Sequence, residues 1–139
     1  MKALTVQQPW AWAIVHGGKD VENRTQAWSY RGPLAIHAGT RLSERGCNLI
    51  PDLLDGTRPE LLAEYAETEL VYGAIIGVVD LVDVHVEDLC CDPWAEHGPR
   101  VAHLVLEDPR PLARPIPCRG RLGLWIPPAE VLDELREAL

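Results

Sequence analysis

The sequence predicts an α+β domain built around a curved sheet or small mixed β-barrel flanked by helices. Three observations lead there. Five or six segments read as strands and a few short ones as helices. They follow no regular strand–helix–strand alternation, which speaks against a doubly wound parallel sheet. The run Ala74–Val79 is continuous and rich in β-branched residues, with Gly77 inside it, as at a barrel corner. A length of 139 residues suits one domain over residues 1–139 with its own core.

Taken in order, Lys2–Val6 reads as a first strand. Pro9 can open a helix, and Trp10, Ala13, Ile14 and Gly17 follow helical spacing, so a short helix is expected over Pro9–His16. Gly17-Gly18 closes it. Asp20–Arg24 is the next expected strand, Trp28–Arg31 a loop, and Leu34–Ala38 a strand ending at Gly39. Leu42–Ile50 reads as a helix with Thr40 or Arg41 near its start. Pro59 opens a stronger one, which Gly73 ends. Ala74–Val86 is the clearest strand signal. Cys91–Arg100 is expected as a loop, Val101–Glu107 as a strand and Asp108–Gly120, with four prolines, as irregular chain. Leu122–Ile126 is the last expected strand. A helix after Pro127-Pro128 carries the apolar stripe Val131, Leu132, Leu135 and Leu139.

A hydrophobic content of 47% argues against disorder, and without Phe the five Trp and three Tyr must supply the aromatic bulk. No apolar run is long enough to span a bilayer, and the first residues show no signal-peptide pattern, so no membrane association and a cytoplasmic location are expected. The net charge of −8 opposes non-specific nucleic-acid binding. The charges are uneven, however. Between Asp52 and Glu96 the only Lys or Arg is Arg58, while Arg24, Arg31, Arg41 and Arg45 precede this block and Arg110, Arg114, Arg119 and Arg121 follow it. A basic face forms if the two ends of the chain meet.

Cys47, Cys90, Cys91 and Cys118 form no CxxC pair and read as reduced thiols. Cys90, Cys91 and His97 match no standard zinc spacing, so neither a metal nor a cofactor is expected. No phosphate-binding loop or dinucleotide fingerprint is present. Thr40 and Ser43 have no nearby His–acid partner for a serine-type triad.

The stretch Gly17-Gly18-Lys19-Asp20-Val21-Glu22-Asn23-Arg24 is the densest set of polar groups that could read a ligand. In an extended segment Glu22 and Arg24 point to one side. Lys19 can neutralise an oxyanion, Glu22 can accept a proton or an amine hydrogen, and Arg24 can clamp an acceptor at two points. A solvated hairpin with a salt bridge is the plainer alternative.

Gln8-Pro9-Trp10-Ala11 followed by Gly18-Lys19-x-x-Glu22-x-Arg24 resembles the opening of ASCH domains in the PUA-like superfamily. The resemblance continues through Tyr30-Arg31-Gly32-Pro33-Leu34 with Ile36-His37-Ala38, then Gly77–Leu81, then Gly120-x-Leu122-Gly123-Leu124-Trp125. It covers almost the whole chain in order. It implies a β-barrel flanked by helices, with a cleft at the Gly-Lys-x-x-Glu-x-Arg loop that binds RNA or a modified nucleobase. Some bacterial relatives are ribonucleases, and one branch hydrolyses N4-acetylcytidine. That branch carries a Thr nucleophile three residues after the Lys, where this chain has Glu22. A carboxylate can activate water but cannot repeat hydroxyl attack.

Two functions follow from these residues together with what the resemblance implies. One is binding of single-stranded RNA or a modified nucleoside, with Gln8, Trp10, Arg24, Trp28, Arg31 and Trp94 as ligand contacts. Trp10 and Trp12, two apart on a helix, face different ways, and Trp28 and Trp94 fall in polar loops. The other is hydrolysis of RNA or of an acylated nucleobase, with Lys19, Glu22 and His37 as the catalytic set. His37 also reads as a core histidine.

Overall fold

The computed structural model describes residues 1–86 and 89–139. The chain runs through β1 (Lys2–Gln8), α1 (Trp10–His16), β2 (Val21–Arg24), β3 (Gly32–Leu42), α2 (Glu44–Thr57), a 3₁₀ turn (Pro59–Leu61) and α3 (Leu62–Glu67). It continues through β4 (Ala74–Val86), β5 (Ala102–Pro117), β6 (Leu124–Trp125) and α4 (Ala129–Ala138). The strands form one six-stranded sheet, ordered β2-β5-β4-β3-β1-β6, that curls into a half-barrel. β1 and β3 run parallel, and the other pairs are antiparallel. The α+β class and the barrel-like architecture are as the sequence predicts.

Alternation along the central strands supplies two apolar faces. Leu4, Leu34, Ile36, Leu81 and Leu104 point to one side and pack with Ile14 and Val15 of α1. Ala3, Ala35, Ile75 and Val78 point to the other and meet Trp125 with Val131 and Leu135 of α4. Leu4, Leu34 and Ile36 are fully buried, each worth about 2 kcal/mol by area. Gly77 lets α1 lie close against the sheet. A Cβ there would sit 2.7 Å from Val15 Cγ1 and 3.1 Å from the Arg110 carbonyl oxygen. A third cluster joins Trp12 to Ile50 and Leu54 of α2 and to Trp94.

Several elements differ from the sequence reading. The proline-rich stretch expected as irregular chain is the second half of β5. β2 covers only Ala102–Val105 on its outer side, so the later residues form an edge, where prolines forfeit few ladder bonds. β3 runs on through Gly39 to Leu42, because β1 continues alongside it to Gln8. α2 is capped by Ser43, whose side chain accepts a hydrogen bond from Gly46 N, and it runs through Pro51 to Thr57. The expected helix after Pro59 splits into the 3₁₀ turn and α3, and β6 is reduced to two residues. Cys90 and Cys91 are paired as a disulfide, against the expectation of free thiols. Trp94 is buried rather than loop-exposed. No helix among the described residues is long and apolar enough to cross a membrane.

Candidate functional site

A cleft of about 860 Å³ opens where the C-terminal ends of the parallel pair β1 and β3 meet the loop 118–123. Thr5, Trp10, Glu22, Arg24 and His37 line one part of it. Arg41, Arg119, Arg121 and Leu122 are among the residues that line the rest. The two ends of the chain therefore do meet here. Among the described residues, four arginines and one carboxylate line the cleft, in a protein whose net charge is −8.

Glu22 and Arg24 share a side of β2, as an extended segment requires. Arg24 Nε donates to Glu22 Oε2 at 2.9 Å, and Arg24 Nη2 donates to the Thr5 carbonyl at 2.8 Å. The guanidinium is thus held across the sheet, from β2 to β1. Lys19 leaves α1 through Gly18 at φ +79, a conformation that favours glycine. Its Nζ lies 3.7 Å from Glu22 Oε1 and over the rings of Trp10 and Trp94, at 4.9 Å and 5.7 Å from their centroids. Lys19 is only 3% exposed. Burial pushes its ammonium below the ordinary 10.5, and Glu22, Glu96 and Asp20 only partly oppose the shift. It sits behind the cleft wall and braces Glu22 and Trp10.

His37 is buried and held at both ring nitrogens. Nε2 lies 2.8 Å from the Cys118 carbonyl, so it carries the proton and donates. Nδ1 then accepts from the Thr5 hydroxyl at 3.2 Å, while Thr5 Oγ1 accepts from the Trp125 indole N–H at 3.2 Å. Gly120 packs onto this pair, since a Cβ there would come within 2.7 Å of His37 Cε1 and of Thr5 Oγ1. That close approach seats the loop bearing Arg119 and Arg121.

The structure thus brings Trp10, Glu22, Arg24 and His37 to one cleft, with Lys19 immediately behind. The other expected contacts are placed elsewhere. Gln8 is buried, donating to the Val71 carbonyl at 2.9 Å and accepting from Trp12 N at 2.9 Å. Trp94 packs in the third cluster, with its carbonyl accepting from Asn23 Nδ2 at 3.0 Å. Trp28 packs against the main core, and Arg31 donates to the carbonyls of Trp28 and Tyr30. Neither lines the cleft. Residues not singled out from the sequence complete it. Thr5 gave no signal there, whereas Arg41, Arg119 and Arg121 were marked only as members of the two basic segments.

Similarity to known proteins bears on the family. The chain's fold is similar to the crystal structure of ASCH from Zymomonas mobilis, at 18% identity and a TM-score of 0.57, covering 98% of this chain and 93% of that one. Two point variants of that protein match at 17% identity, with TM-scores of 0.57 and 0.58. They cover 97% and 99% of this chain and 96% of each of theirs. No curated protein matches. The family model of the ASCH domain matches residues 4–110, which hold β1 to β4 and the first half of β5, and with them Lys19, Glu22, Arg24 and His37. The chain belongs to the ASCH domain family.

Proposed function

We propose that the cleft binds single-stranded RNA or a modified nucleoside. The observation that carries this reading is the sign of the cleft. Arg24, Arg41, Arg119 and Arg121 line it with Glu22 as the one acid among the described residues, on an otherwise acidic protein. Guanidiniums suit phosphate oxygens because they offer paired donors in one plane. Trp10 offers ring surface in the same cleft, and stacking of a base on an aromatic face is worth about 1–3 kcal/mol. Glu22 is the one carboxylate among the described residues lining the cleft, which fits it to read an exocyclic amine. The acidic remainder of the surface disfavours a long duplex and favours a short single strand.

The test is a fluorescence-anisotropy titration of a short single-stranded RNA against the wild type and Arg119→Ala/Arg121→Ala. Affinity should fall roughly tenfold or more in the variant, from lost charge-assisted contacts. Equal affinity for both proteins would refute the reading.

One observation favours a second reading, hydrolysis in the same cleft. The Thr5 hydroxyl donates to a His37 nitrogen whose tautomer the Cys118 carbonyl fixes. A hydroxyl paired with an oriented imidazole is the arrangement of an activated nucleophile. Turnover of short RNA or N4-acetylcytidine that Thr5→Val abolishes would support this reading. Turnover that survives the change would exclude Thr5 as the nucleophile.

A further inference from the structure

The loop between β4 and β5 gathers a second set of chemically active side chains, away from the cleft. The ligand atoms of His85, Cys90 and Cys91 all lie within 4.8 Å of one another. His85, the penultimate residue of β4, stands directly opposite His103 of β5 in the antiparallel register. His103 is 1% exposed. Its Nε2 lies 2.6 Å from the Glu96 carbonyl, so that nitrogen donates and Nδ1 keeps a lone pair. Nδ1 faces Cys90 Sγ at 3.9 Å. A buried imidazole therefore stands beside this cysteine–histidine cluster, with its Nδ1 turned toward a sulfur. Its tautomer is fixed from behind by a carbonyl, the usual support of a metal-bound histidine.

We propose that, with Cys90 and Cys91 reduced, His85, Cys90, Cys91 and His103 bind one zinc-class cation. The chemistry fits a borderline-soft ion, since two thiolates and two imidazoles form a Cys₂His₂ donor set. Around a tetrahedral zinc, neighbouring sulfur and nitrogen ligands stand roughly 3.6 Å apart, close to the Cys90–His103 separation. His97, which follows these cysteines in sequence, is not part of the set. Its Nε2 lies 2.7 Å from Asp92 Oδ1, and its ring packs edge-on against His103.

In the disulfide form the sulfurs are not thiolates and the donor set is incomplete. An external dithiol or phosphine supplies the two electrons that break the S–S bond and is itself oxidised. The cation then displaces the two thiol protons to solvent. The metal would fix the loop that carries Trp94 and Glu96. That loop is already tied to β2 by the Asn23 side chain, through Trp94 O and Glu96 N.

The experiment uses the full chain, reduced with a phosphine and freed of it, and titrated with Co²⁺ as a spectroscopic probe. One equivalent should give thiolate-to-cobalt charge-transfer absorption and the visible bands of a tetrahedral ion, both displaced by Zn²⁺. Cys90→Ser and Cys91→Ser, conservative changes in a partly exposed loop, should each weaken binding roughly a hundredfold or more. His85→Ala should do the same, and His97→Ala should keep the bands. Protein left as the disulfide should give no charge-transfer band. Absence of that band in the reduced wild type, or Cys90→Ser binding as tightly as wild type, would overturn the proposal.

Discussion

Glu22→Gln removes one charge from the bracing cluster while preserving shape. In the wild type the Glu22 carboxylate meets Arg24 Nε at 2.9 Å and Lys19 Nζ at 3.7 Å. The two partners differ in exposure. The Arg24 side chain is 27% exposed and is partly solvated, so its lost attraction counts for little. The Lys19 side chain is 2% exposed and Glu22's is 10%, so the substitution leaves a buried ammonium without its nearest countercharge. Breaking a buried pair on one side costs about 3 kcal/mol, or about 10 °C in Tm for a domain of this size. Urea denaturation at neutral pH measures it. Lys19→Met in the Glu22→Gln background should recover most of the loss, because no buried charge then remains. A loss below about 0.5 kcal/mol, within the usual range of a surface substitution, would show that Lys19 does not depend on Glu22.

Three further outcomes follow from the same geometry. Burial lowers the folded-state pKa of Lys19 below 10.5, so between the two values the unfolded chain binds more protons. Wild-type stability should therefore rise relative to Lys19→Met as pH climbs through that window, and be flat below it. Denaturation at a series of alkaline pH values checks the sign. Gly120→Ala places a Cβ 2.7 Å from both His37 Cε1 and Thr5 Oγ1, which should cost about 1–3 kcal/mol. It should also weaken RNA affinity by about threefold to tenfold through displacement of Arg119 and Arg121, as paired stability and anisotropy measurements would show. Arg31→Ala, whose guanidinium serves local carbonyls outside the cleft, should leave RNA affinity within about twofold.

Local patterns made some of this legible in the sequence. The β-branched run from Ala74 announced β4, and the two-residue spacing of Glu22 and Arg24 announced their shared side. The contrast between Trp10 and Trp12 followed from helical spacing alone: Trp10 reaches the cleft, and Trp12 packs on α2. Features that depend on partners distant in the chain were not legible. β5 passes through its prolines because it becomes an edge there, and sequence does not show which strand lacks a neighbour. Gln8 precedes the helix in a motif that suggests recognition, yet Val71, far along the chain, takes its amide. Trp94 lies among polar residues but is covered by Lys19 and α2. Thr5 sits in an ordinary strand, and only the approach of His37 and Trp125 gives its hydroxyl a role. The arginines of the last third were visible as a basic segment. Their arrival at the cleft depends on Gly120 packing against His37, a contact between residues 83 positions apart.

The salt dependence of RNA affinity tests the cationic-cleft account most directly. The measurement is log K against log salt for a short single-stranded RNA, on the wild type and on Arg119→Ala/Arg121→Ala. Each neutralised phosphate on a single strand contributes a slope of about −0.7. Four guanidiniums predict a wild-type slope of about −3, reduced in magnitude by about 1.4 in the double variant. A flat response in the wild type, or the same slope in both proteins, would contradict the claim that these arginines form the binding surface.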